Sequence, residues 1–256
     1  VAGRLRELTG VAVALILVVI AIVVSRLQQL ELESDLAVAA LRAGIQLFLV
    51  AAVITVVFEH FWVAIPALSV MLALASWTAA RRLRGVPRGP WLAAASIAMA
   101  SAVALTVLFA GRAFSFEPQF FIPIAGMLIG NCMTVTSLAG ARLRDDLRDK
   151  VLEVEARLAL GVSAREALRP YARRATSSSM IPTIDATKNA GLILLPGAFV
   201  GTILGGESPA RAAQVQIIVL FMLLGAVALA AMTAATLVGR AFVAPGERIL
   251  LPAETD

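Results

Sequence analysis

Charge is scarce in this 256-residue chain. Only 15% of its residues are Asp, Glu, Lys or Arg, while 60% are apolar. A soluble domain of this length carries about 25% charged and about 45–50% apolar residues. A water-soluble enzyme, a disordered tail and a free nucleic-acid binder are therefore excluded. One cysteine, Cys132, rules out an intrachain disulfide, a CxxC pair and an all-cysteine metal site. One histidine, His60, leaves no multi-histidine cage within a chain. The two lysines, Lys150 and Lys188, do not follow glycines. A P-loop needs Gly-Lys so that the lysine reaches the β- and γ-phosphates above a backbone cradle. Any ATP hydrolysis therefore belongs to another polypeptide, and no enzyme activity is expected on this chain.

What the chain has in abundance is apolar residues in blocks of about twenty, enough for a helix of about 30 Å that crosses the hydrocarbon core. Seven blocks stand out, near 9–28, 36–58, 62–80, 91–110, 120–140, 189–206 and 213–240. The expected fold is all-α, a polytopic membrane bundle of about seven transmembrane helices forming one domain over 1–256. The first block lacks a cleavage signal and reads as a retained span. Arg81-Arg82-Leu83-Arg84-Gly85-Val86-Pro87-Arg88 holds four cations and no acid, and 141–181 holds nine basic and six acidic residues. The other links carry almost no cations. Positive-inside bias places 81–88, 141–181 and the C-terminal tail in the cytoplasm. Seven spans then put the N-terminus outside, with Arg4 and Arg6 on the disfavoured side. The net charge of +5 reflects this bias, not nucleic-acid binding.

The segment 141–181 is too short and too charged for a core of its own, and its spacing predicts a helical hairpin. Leu147, Val151, Val154 and Leu158 make one apolar stripe, and Gly161 stops the first helix. Ser163-Ala164-Arg165-Glu166 is a capping box that starts the second. Ala167, Leu168, Tyr171 and Ala175 give that helix an apolar face, with Pro170 placed to kink it.

Glu155-Ala156-Arg157-Leu158-Ala159-Leu160-Gly161 resembles the EAA-xxx-G motif of ABC-transporter permeases, with Arg157 in place of the second alanine and the following Ile181-Pro182 about ten residues late. The sequences Ile122-Pro123-Ile124-Ala125-Gly126-Met127-Leu128-Ile129-Gly130-Asn131, Leu160-Gly161-Val162-Ser163 and Ile181-Pro182-Thr183-Ile184-Asp185-Ala186-Thr187-Lys188 resemble the FetB family. So does the run from Gly191 through Leu195-Pro196-Gly197 to Phe221-Met222-Leu223-Leu224. This family of membrane proteins includes bacterial iron-export and plant aluminium-tolerance permeases. The resemblance is dense over 120–240 and thinner upstream, where Arg42-xxx-Gln46-Leu47 still fits. It implies an ABC exporter permease in the cell membrane, moving iron or another metal, with a nucleotide sugar as the alternative cargo. ATP and Mg²⁺ would sit on a separate ATPase subunit. Glu155, Ala156, Gly161, Ser163 and Arg165 would form the coupling element. A single chain is small for a full path, so a homodimer in membrane lipid is expected.

Polar groups at membrane depth are costly and mark candidate paths. Arg42 and Gln46 lie one turn apart on one face, Asn131 sits mid-span with Met127 one turn before it, and Asp185 and Lys188 are spaced to pair. Snorkelling suits Arg42 equally well, and a structural ion pair is preferred for Asp185 and Lys188. Met127, Cys132 and Met133 offer soft ligands, but adjacent residues on a helix diverge, and methionine is a routine gap-filler. Gly126-xxx-Gly130 and Gly197, Gly201 and Gly205 form small-residue ridges, read first as packing within the chain and second as a dimer seam. Asp145-Asp146-Leu147-Arg148-Asp149 spells the DDxxD of prenyl-transferring enzymes, the rival reading. No second acidic motif accompanies it, and flanking arginines favour a solvated helix face.

Overall fold

A computed structural model describes residues 2–244 and 248–250, and the side chains at 2–9, 53, 57–59 and 248 lie outside that description. The side chains of Arg4 and Arg6, and the C-terminal tail beyond 250, thus fall outside the described residues. The chain packs as two compact units, residues 1–63 and 64–256.

The first unit is a helical pair, α1 (Ala2–Leu27) and α2 (Glu33–Glu59), followed by a 3-10 turn at Phe61–Val63. Ser25 ties the connection. Its hydroxyl donates to Glu33 Oε1 at 2.9 Å and accepts the Leu32 N–H at 3.1 Å. Both helices expose large apolar side chains all round, Phe48 at 82% for example. That surface suits lipid.

The second unit contains α3 (Ala64–Arg82), α4 (Gly89–Ala110), α5 (Pro118–Asp149), α6 (Val151–Ala159), α7 (Ala164–Asn189), α8 (Gly197–Leu204) and α9 (Pro209–Ala241). A two-residue antiparallel pairing, Val243–Ala244 with Arg248–Ile249, follows α9. Backbone polar groups have no water to bond in lipid, so helices that satisfy themselves are the expected answer to these apolar blocks. The core is built from α4, α5 and α9, with Ala93, Ile97, Ala100, Leu128, Cys132, Ala139, Val227, Ala230 and Ala231 fully or almost fully buried. Small side chains here let helix axes approach closely.

Within this unit the polar segments gather at one end. Arg144 of α5 donates through Nη1 to the carbonyls of Arg82 and Arg84, both at 2.9 Å. Gly140 faces Leu83 and Val238, and Gly239 faces Leu143. The arginine-rich turn after α3, the polar extension of α5 and the end of α9 therefore share an end. At the opposite end Phe109, Phe114, Phe116, Phe120 and Phe121 pack ring against ring around the α4–α5 turn. At 32 residues α5 is about 48 Å long, beyond the ~30 Å hydrocarbon core, so its charged last turns project.

Six helices among the described residues are long and apolar enough to cross a membrane: α1, α2, the segment from Phe61 to the end of α3, α4, α5 and α9. The seventh block, expected as one span over 189–206, is not one helix. The hairpin's second helix continues through Pro170 and Pro182 as α7 to Asn189, and the chain then leaves helical geometry until Gly197. Gly191 has φ +90°, a conformation glycine adopts at no steric cost. Pro196 lacks an N–H and pushes Leu195 out of the α region. Hydropathy reads this stretch as a span because the break itself is made of apolar residues. Both pieces, α7 and α8, pack along α9.

Candidate functional site

The hairpin expected from the sequence is present at the charged end of the second unit. Leu147 and Val154 are buried while Val151 and Leu158 are half-buried, so the stripe packs inward. Gly161 takes φ +83° after α6. Val162 N–H bonds back to the Arg157 carbonyl at 3.1 Å and Gly161 N–H to Leu158 at 2.9 Å, the paired closure that a left-handed residue makes possible. Ser163 then caps α7, its oxygen accepting the Glu166 N–H at 3.3 Å. The Glu166 carboxylate reaches the Ser163 hydroxyl at 3.5 Å, where a capping box would send it to the backbone N–H. Ala167, Leu168, Tyr171 and Ala175 are all buried, the face the spacing predicted. Glu155, Ala156, Gly161, Ser163 and Arg165 are all exposed, forming an outward elbow. Arg157 turns along its own helix to Glu153 at 2.8 Å. The Tyr171 hydroxyl and then Arg157 hold the Glu153 carboxyl below its ordinary value of 4.5.

The candidate path residues lie on three helices. Arg42 and Gln46 are exposed on α2 in the first unit. Asn131 on α5 is half-buried, and its amide donates to the Met127 carbonyl one turn earlier at 2.8 Å. Asp185 and Lys188 pair at 3.8 Å on the exposed face of α7, just before the break.

One residue at the break was not singled out from the sequence. A cavity of about 160 Å³ is lined by Ala190, Gly191, Pro196 and Phe199 on the broken side and by Ala213, Gln216 and Leu220 of α9. Gln216 is 7% exposed, and its Oε1 has no hydrogen-bond partner. The cavity thus lies at the break between the end of α7 and the start of α8, against α9. Two amides, Gln214 and Gln216, inside a 33-residue apolar helix were the available signal, yet hydropathy averaging hides so few polar side chains.

The soft-ligand candidates do not form a cage. Cys132 is fully buried, with its Sγ 3.8 Å from the Ala226 carbonyl of α9, while Met127 and Met133 are half-buried against the core. Asp145 is bound by Arg144 at 2.7 Å. Among the described residues no three His, Cys, Asp or Glu side chains converge to hold a metal.

Residues 8–243 match the family described as Uncharacterised protein family (UPF0014). The UPF0014 membrane protein STAR2 of Oryza sativa subsp. japonica is 40% identical over 227 residues, covering 88% of this chain and 78% of that protein. Protein ALUMINUM SENSITIVE 3 of Arabidopsis thaliana is 38% identical over 232 residues, 90% and 85%. The probable iron export permease protein FetB of Escherichia coli is 32% identical over 235 residues, 91% of each. No solved structure matches the chain.

Proposed function

The chain belongs to the uncharacterised family UPF0014, and on that premise we propose that it is the membrane-embedded permease subunit of an ABC exporter. The observation that carries this reading is the exposed elbow formed by Glu155, Ala156, Gly161, Ser163 and Arg165 at the arginine-rich end of the second unit. A rigid turn, closed by backbone bonds on one side and a serine cap on the other, transmits a push without folding up. The proposed source of the push is a separate ATPase, which carries the ATP and Mg²⁺. The elbow end faces the cytoplasm and the N-terminus lies outside.

Force on the elbow passes directly into α7, which runs without interruption from Ser163 to the break at 190–196. Tilting α7 would open or close the cavity beside Gln216. Discontinuous helices commonly form solute sites at membrane depth because their ends present unbonded backbone groups. Met127, Asn131, Asp185 and Lys188 are further path candidates in the second unit, and Arg42 and Gln46 are candidates on α2 of the first. The cargo proposed is iron or another metal cation, in line with the name of the Escherichia coli relative. A nucleotide sugar is the alternative cargo. A homodimer completes the path. A Cβ added at Gly197 or Gly201 would meet nothing within 4 Å, so that ridge on α8 is free for a second copy.

Reconstitution with a separate ABC ATPase subunit from the same source tests the reading. Expected is hydrolysis stimulated by one solute that also moves across the vesicle membrane. Gly161→Pro and Glu155→Lys should each abolish co-purification of the ATPase while membrane insertion persists. Retained binding in both variants rejects the elbow as the coupling element.

A further inference from the structure

We propose that the groove between α6 and α7 is a binding site for a phosphate group, distinct from the elbow and from the cavity beside Gln216. Its volume is about 300 Å³, and it is lined by Lys150, Glu153, Arg157, Pro170, Tyr171 and Arg174. Three cations face one carboxylate. Arg157 is neutralised by Glu153 at 2.8 Å, but neither Lys150 nor Arg174 is within ion-pair distance of a carboxylate among the described residues. The groove therefore carries two more positive than negative side chains. The Tyr171 side chain is 5% exposed, and its hydroxyl lines the groove beside the Glu153 carboxylate without a hydrogen bond of good geometry to it. A buried hydroxyl without a well-formed bond gains from a ligand acceptor placed in line with it.

The donor set selects the ligand. A lysine, a guanidinium and a phenol hydroxyl suit a tetrahedral oxyanion carrying one or two charges. A water occupies about 30 Å³ of liquid, so the groove holds a phosphate and the first atoms of its ester. Position agrees with this. Arg174 lies six residues before Met180, about 9 Å along α7, at the polar end of the unit. A phosphodiester of an anionic lipid headgroup and a free phosphate compound share this chemistry.

The test uses the full chain purified in detergent, titrated separately with soluble dihexanoyl phosphatidylglycerol and with inorganic phosphate. Expected is saturable binding of at least one probe, weakened about tenfold or more by Lys150→Ala with Arg174→Ala. Tyr171→Phe should weaken it by a smaller factor. Arg169→Ala with Arg173→Ala removes two exposed α7 cations that do not line the groove, and should change affinity by less than about twofold. Binding of the lipid without competition by inorganic phosphate identifies a headgroup site, and competition identifies a general phosphate site. The proposal is overturned by no saturable binding of either probe, or by equal losses in the two double variants, which would mean diffuse surface charge. No ATPase is needed, so this outcome is independent of the coupling reading.

Discussion

Leu83, in the turn after α3, lies so closely on Gly140 of α5 that a methyl group added to Gly140 would overlap Leu83 Cδ2. Leu83 is 2% exposed, so its side chain has nowhere to retreat. Gly140→Ala should destabilise the second unit by about 1–3 kcal/mol, the usual cost of overpacking. Thermal unfolding of the detergent-purified chain measures this. Adding Leu83→Ala should recover part of the loss, whereas additive losses would show that the two do not share this contact.

Arg144 ties the turn after α3 to α5 through two carbonyls and Asp145. Lysine keeps the charge but lacks the planar fork needed to serve all three acceptors. Arg144→Lys should therefore speed amide hydrogen exchange across 82–88 and cost about 1 kcal/mol in global stability. Unchanged exchange would mean that the turn is held by its backbone alone.

Glu153 has a folded-state pKa below its ordinary value, held there first by the Tyr171 hydroxyl and then by Arg157. The sign follows from linkage. Its contribution is fully present above the ordinary value of 4.5 and is lost as pH falls through the lowered folded value. Hydrogen exchange in α6 should accelerate as pH drops below about 4.5 relative to the intrinsic rate. Glu153→Gln should remove that acid-dependent component.

Gln216 is a buried amide with an unpartnered oxygen. Leucine is close in size and needs no partner, so Gln216→Leu should raise thermal stability by about 1 kcal/mol or more. Transport in reconstituted vesicles should fall at least tenfold. A variant that is stabilised and fully active would show that the cavity plays no part in the path.

Ser163→Ala removes the side-chain acceptor that caps α7 and should cost about 1 kcal/mol. The loss should appear first as faster exchange at Glu166 and its neighbours. Unaltered protection there would show that the first turn is held by packing of Ala167 and Leu168.

Local events were legible in the sequence because their causes are local. Blocks of about twenty apolar residues give spans, Gly161 stops a helix, Ser163 starts one, and the spacing of Ala167, Leu168, Tyr171 and Ala175 names a buried face. The family was legible for the same reason, through contiguous motifs from Ile122 to Leu224. The break at 190–196, the enclosure of Gln216, the contact of Leu83 with Gly140 and the convergence of Lys150, Tyr171 and Arg174 required the fold. Lipid is as apolar as a bundle interior, so hydrophobicity along a span does not say which side faces inward. Helix rotation and register settle that, and they are fixed by close packing between segments far apart in the chain.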